Sequence, residues 1–73
     1  MLQEVYAALE QLPPEQRRVM HLLFTEGMES EQVAEALHIS IHTVKKHKLN
    51  GIRALRKKLG VSGVIVIAVL AHL

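Results

Sequence analysis

The spacing of residues between positions 30 and 59 constrains the fold more than any other feature of this 73-residue chain. Ser30 is suited to cap the first turn of a short helix, and Ser40 is suited to cap a second helix. The run 38–40 interrupts the helical spacing, so a tight turn is predicted there. The second helix can continue from position 41 to about Leu59. The residues that repeat at helical spacing in the short helix are Val33, Ala34 and Leu37.

A short helix, a tight turn and a longer helix are the parts of a helix-turn-helix, whose second helix enters the major groove of DNA. On a helical wheel with about 100° between residues, the longer helix separates an apolar face from a polar one. The apolar face, which we expect to pack in the core, holds Ile41, Val44, Ile52, Leu55 and Leu59. The polar face holds His42, Lys46, Asn50, Arg53 and Lys57, with Lys45 and Arg56 at its edges.

Two further helices are predicted ahead of this motif. The first covers residues 2–11 and ends before Pro13, because a residue that precedes proline is disfavoured in the helical region. The second opens at Pro14 and closes near Glu26, ahead of a capping glycine at position 27. Their inward residues are predicted to be Leu2, Val5, Tyr6, Leu9, Val19, Met20, Leu23 and Phe24. The chain is therefore expected to form a small all-α domain of four helices over residues 1–60.

Residues 61–73 form an apolar C-terminal tail without a charged residue. Helix and extended structure cannot be distinguished there, because nearly every position is apolar. The tail is shorter than the roughly 20 apolar residues that cross a bilayer, so a membrane is not an expected partner. We expect the tail to pack on the domain or to pair two copies in a homodimer through residues 61–73. Leu49 lies off the apolar face of the longer helix and is a second candidate for a partner contact.

The charges are divided unevenly along the chain. Residues 1–35 hold all seven acids and two cations, which gives a net charge of −5. Residues 36–73 hold seven cations and no acid, which gives +7. Basic charge gathered on one helix is typical of a surface that binds a polyanion, although many charged faces are merely solvated.

An enzyme is not expected from this sequence. The absence of cysteine excludes disulfides and thiolate metal sites, and it agrees with a cytoplasmic protein. His42 and His47 are five residues apart, which places them about 140° apart on a helix, so they do not converge on a metal ion. No carboxylate follows Glu35 to complete such a site. No cofactor is predicted.

Candidate DNA contacts follow from the docking geometry of a helix-turn-helix, in which the first residues of the second helix reach base edges. His42 and Lys46 are the strongest candidates for base contacts, and Ile41 can meet a thymine methyl group. Arg53 and Lys57, further along the helix, are expected to meet the phosphate backbone or solvent. Residues at the margin that can touch phosphates or bases are Thr43, Lys45, His47 and Asn50.

Several segments resemble region four of bacterial sigma factors, with the extracytoplasmic-function type the nearest group. They are ALEQLPPEQR at 8–17, EG at 26–27, EQVAEAL at 31–37, IS at 39–40 and TV at 43–44. The resemblance covers about residues 5–59. Two features depart from the family pattern. His38 occupies a turn position where the family often has glycine, and His42 with Lys46 would define an unfamiliar base preference.

The resemblance implies an all-helical domain that recognises the upstream (minus-thirty-five) promoter element and directs RNA polymerase to initiate transcription. It implies docking on the flap of the polymerase β subunit, and an anti-sigma factor is a further expected partner. Base contacts of the family fall on Ile41, His42 and Lys46. Backbone contacts fall on Thr43, Lys45 and Asn50, with a phosphate contact from the second helix at Arg17.

Two alternatives remain at this point. The segments TVKKH at 43–47, Asn50 and KLGV at 58–61 are similar to the LuxR-type effector domain of response regulators. The separation of Leu12 from Gly27 and the Leu-Pro opening favour the sigma pattern. The second alternative is a protein-interaction or oligomerisation module driven by the apolar tail.

Overall fold

A computed structural model describes the backbone of residues 2–71 and the side chains of residues 3–60. It contains four helices and, among the described residues, no strand, so the predicted all-α fold is confirmed. A π-helical segment, His21–Thr25, directly follows the second helix. The helices are α1 (Leu2–Glu10), α2 (Pro14–Met20), α3 (Ser30–Leu37) and α4 (Ile41–Ala71).

Helix α4 is interrupted at Gly60, whose φ of 73° and ψ of −170° are not helical. The helical stretch before Gly60 agrees with the predicted end near Leu59. Beyond Gly60, the backbone is helical again as far as Ala71, whereas residues 72–73 and the side chains of the tail lie outside the described residues. The predicted division of the chain at residue 60 stays a prediction. No helix in the described part of the chain is long and apolar enough to cross a membrane.

The start of α3 differs from the prediction. Ser30 is the first helical residue, and the capping position belongs to Glu29, whose backbone is extended. The amide of Glu29 donates to Oε1 of Gln32 at 2.9 Å, which is half of a capping box. The cap therefore lies one residue earlier than predicted, because Gln32 satisfies the amide of Glu29.

The core consists of two clusters of buried side chains. The α1 cluster joins α1, the segment that follows it, α2 and α4. The α3 cluster joins α2, the π-helical segment, α3 and α4. Phe24 is half-buried and packs against both clusters. The α1 cluster contains Val5, Ala8, Leu9, Leu12, Met20 and Leu55, and the α3 cluster contains Val19, Leu23, Val33, Ala34 and Val44.

Within residues 3–60 most predicted core residues are confirmed and two are wrong, whereas Leu2 lies outside the described side chains. Val44 and Leu55 of α4 are completely buried, and they belong to different clusters. Tyr6 is 41% exposed, because Val5, Ala8 and Leu9 form the face of α1 that reaches the core. Ile41 is 37% exposed, since it lies in the first turn of α4, ahead of the first buried residue at Val44.

Gly51 allows α4 to approach α2 closely. Gly51 is buried, and a Cβ atom at this position would lie 2.8 Å from Cγ and 2.9 Å from Sδ of Met20. Met20 is itself completely buried, so it has little room to move away. The absence of a side chain at Gly51 thus fixes the distance between α2 and the helix that carries the predicted DNA contacts.

Candidate nucleic-acid interface

The turn between α3 and α4 is held by hydrogen bonds at both ends. His38 adopts the left-handed conformation (φ 55°, ψ 43°), and the amide of Ile39 donates to the carbonyl of Ala34 at 3.0 Å. This pattern closes the C-terminal end of α3. Ile39 then packs against the α3 cluster. The turn is therefore anchored to the core before α4 begins.

Ser40 caps α4, as the sequence predicted. The amide of Thr43 donates to Oγ of Ser40 at 3.1 Å, and the hydroxyl groups of Ser40 and Thr43 are 2.8 Å apart. The amide of Val44 donates to the carbonyl of Ser40 at 3.1 Å. Because Val44 packs in the α3 cluster beside Val33 and Ala34, the first turn of α4 has a defined position relative to α3.

The exposed face of α4 carries most of the predicted contacts. His42, Lys46 and Arg53 are exposed and fall within about 40° of one another on the helical wheel. Lys45 and the first-turn residue Ile41 are exposed beside them. We call this surface the cationic face of α4; it comprises Ile41, His42, Lys45, Lys46, Leu49, Arg53, Arg56 and Lys57.

Three predicted contacts on α4 are less accessible. Thr43 and Asn50 are half-buried at the edge of the cationic face, and the hydroxyl of Thr43 is already paired with Ser40. His47 is half-buried, and its Nδ1 atom is shielded from solvent with no partner among the described residues. These positions make DNA contacts through Thr43 and His47 harder to form than contacts through Lys46. The predicted DNA contacts of Thr43, His47 and Asn50 stay predictions.

Arg17 lies on α2 rather than on α4. Its Nη1 atom donates to the backbone carbonyl of Glu10 at 3.2 Å, so it ties α2 to the end of α1. A guanidinium group has five N–H donors, and this bond uses one of them. The remaining donors are compatible with the predicted phosphate contact.

The cations of α4 have no acidic partners in the described part of the chain. Between residues 3 and 60, Glu15 lies 4.0 Å from Arg18, and Nε2 of His21 lies 3.3 Å from Oε1 of Glu10. Both lie outside α4, as expected from the absence of acids after Glu35. Lys58 instead donates to the side-chain oxygen of Gln11. The cationic face is therefore available to attract a polyanion.

Sequence reasoning missed some features of this interface. The sequence predicts that Leu49 lies off the core, and in the structure Leu49 is 50% exposed within the cationic face. The helical wheel does indicate this position, since Leu49 lies between His42 and Arg56 in angle. The bond between Lys58 and Gln11 had no sequence signal, because 47 positions separate the two residues. In the described side chains, no group of three metal-binding residues converges on one point.

These elements define a helix-turn-helix domain with a basic second helix. The sigma-70 region 4 family model matches residues 2–55, and the chain belongs to this family. That assignment selects the sigma pattern over the LuxR-type alternative.

The relatives found are longer proteins. The chain is 39% identical over 56 residues to the ECF RNA polymerase sigma factor SigX of Bacillus subtilis, an overlap that covers 77% of this chain and 29% of SigX. It is 40% identical over 58 residues to the ECF RNA polymerase sigma factor SigK of Mycolicibacterium vanbaalenii, covering 80% of this chain and 30% of SigK. The match therefore spans less than a third of either relative. No solved structure matches the chain.

Proposed function

We propose that this chain is the promoter-binding region of an extracytoplasmic-function type sigma factor, and that it reads the upstream (minus-thirty-five) element through α4. The observation that supports this most directly is the cationic face of α4, with no carboxylate partner among the described residues. The hydrogen bonds at Ser40 fix the first turn of α4, from which base edges are read in this type of domain. The module acts by binding and carries out no reaction of its own.

Lys46 and His42 are the proposed readers of base edges, with Ile41 beside them. Lysine can donate to O6 and N7 of guanine, whereas its contacts with phosphate carry no sequence information. Lys45 is exposed about 100° from Lys46 on the wheel, so it is the better candidate for a phosphate contact. Lys45 and Lys46 are therefore adjacent lysines with different expected roles, a phosphate contact for Lys45 and a base contact for Lys46.

A selection from random DNA duplexes tests this assignment. The chain, with RNA polymerase core present, is expected to enrich one sequence motif. Lys46→Ala should relax the preference at one base pair and cost about 1–3 kcal/mol on the original motif. Lys45→Ala should weaken binding to every sequence by a similar factor. Equal losses for both variants on every sequence would remove the recognition-helix assignment.

The polymerase core, through its β-subunit flap, is the proposed protein partner, and the cytoplasm is the proposed location. The names of SigX and SigK support this, since both are RNA polymerase sigma factors. Binding of the chain to purified core polymerase without DNA would test the partner separately from promoter recognition. An anti-sigma factor stays a prediction. A homodimer through residues 61–73 also stays a prediction, and it is one outcome of the vesicle-binding experiment described below.

A further inference from the structure

The helical part of the tail has apolar residues on every side. Residues 61–71 continue α4 beyond the break at Gly60, and Ser62 is the only polar side chain in this stretch. A helix that is apolar all round needs an apolar environment all round, either in a protein core or in a membrane. Within an α-helix most backbone N–H and C=O groups bond to each other, which lowers the cost of entering lipid.

A cluster of cations directly precedes the tail. Arg53, Arg56, Lys57 and Lys58 lie within the last two turns before Gly60, and all four are exposed. None has a carboxylate within ion-pair distance among the described side chains. We call these four residues the juxta-tail cluster. A basic cluster beside an apolar helix is the combination that binds an anionic membrane surface.

We propose that this end of α4 attaches the domain to an anionic lipid bilayer. The tail enters the apolar layer, while the juxta-tail cluster meets the phosphate groups of the lipid headgroups. The helical stretch 61–71 is about 16 Å long, which is roughly half the 30 Å thickness of the hydrocarbon layer. The described stretch is therefore long enough to enter one leaflet, and this mode of attachment does not require a helix that crosses the membrane.

Charge favours the bilayer over a parallel pairing of two copies of the chain through their tails. Two tails packed in parallel would bring two juxta-tail clusters together, and residues 36–73 contain no acid to offset their repulsion. Anionic headgroups would neutralise the same cations. Arg53, Arg56 and Lys57 belong to both the cationic face and the juxta-tail cluster, so vesicles and DNA are expected to compete for the domain.

Co-sedimentation of the full chain with lipid vesicles tests the proposal. Vesicles of phosphatidylcholine with phosphatidylglycerol should bind the chain, and vesicles of phosphatidylcholine alone should bind it much more weakly. Each cation near an anionic surface contributes about fivefold to binding, so Arg56→Ala with Lys57→Ala should lower the affinity about 25-fold. Ile65→Lys with Ile67→Lys should lower it more than about a hundredfold.

The matched control is Lys45→Ala with Lys46→Ala, which removes the same charge from the other end of α4. These residues lie about 20 Å from Gly60, beyond the Debye length of about 8–10 Å in physiological salt, so vesicle binding should change less than about twofold. Three results would overturn the proposal. The first is a failure of the unmodified chain to bind either kind of vesicle, and the second is unchanged binding after the tail substitutions. The third is a dimer in sedimentation equilibrium that the tail substitutions dissociate, without any vesicle binding; it would assign the tail to a second copy.

Discussion

At the scale of single residues, the turn of the helix-turn-helix contains a strained backbone. Among the described residues, His38 is the only non-glycine residue with a positive φ. The left-handed conformation costs a residue with a Cβ atom roughly 1–2 kcal/mol, and glycine avoids this cost. The hydrogen bond from Ile39 to Ala34 closes the end of α3 while His38 holds this conformation.

We expect His38→Gly to raise the free energy of unfolding by about 0.5–1 kcal/mol, since the relief of strain exceeds the entropy that glycine adds to the unfolded chain. Urea denaturation followed by circular dichroism measures this change. Glu35→Gly, in the interior of α3, is the control and should lower stability by about 1 kcal/mol. A loss of stability in His38→Gly would mean that the side chain of His38 contributes more than its backbone costs.

At the scale of helices, the two serines predicted as caps have different roles. Ser40 accepts from the amide of Thr43, whereas Ser30 lies inside α3 and Glu29 takes the capping position. Ser40→Ala should therefore lower stability by about 1 kcal/mol, and Ser30→Ala should change it by less than about 0.5 kcal/mol. Thermal unfolding of the two variants makes a matched comparison. Equal losses would indicate that Ser30 also stabilises the start of α3.

The helices themselves were largely predictable, because apolar spacing and proline positions act locally. Pro14 begins α2, Gly27 has the positive φ (69°) of a helix-ending glycine, and Ser40 begins α4. The π-helical segment had no such signal. This segment ends with a hydrogen bond from the amide of Glu26 to the carbonyl of His21 at 3.0 Å. Side chains that are neighbours in this part of the chain pack into different core clusters. Packing between distant helices is not readable from local sequence.

The candidate interface was predictable in outline for a similar reason. The wheel correctly separated buried Val44 and Leu55 from exposed His42 and Lys46, because one helix has one geometry. It could not show that Gly51 lies against Met20, since that contact depends on how closely two helices approach. It also could not show that the hydroxyl of Thr43 is already paired with Ser40.

At the scale of the whole molecule, the uneven charge predicts how binding to DNA responds to salt. Each phosphate that a cation neutralises contributes about 0.9 to the slope of log K against log salt concentration. Arg53→Ala should reduce the magnitude of this slope by about 1 and leave the sequence preference unchanged. Arg18→Ala is the control, since Arg18 lies on α2 beside Glu15, and its slope should match that of the unmodified chain. Fluorescence anisotropy over a salt series would measure both, and equal slopes for the two variants would exclude a phosphate contact by Arg53.

Helix α4 supports both clusters of the core from one side and presents the proposed recognition residues on the other. Val44 and Leu55 are fully buried, whereas His42 and Lys46 are exposed. Substitutions at exposed positions usually change stability by less than about 0.5 kcal/mol. On the proposed function, a lineage could therefore acquire a new promoter preference by one substitution at a time. Each intermediate would still fold, and none would need a compensating change elsewhere in the chain.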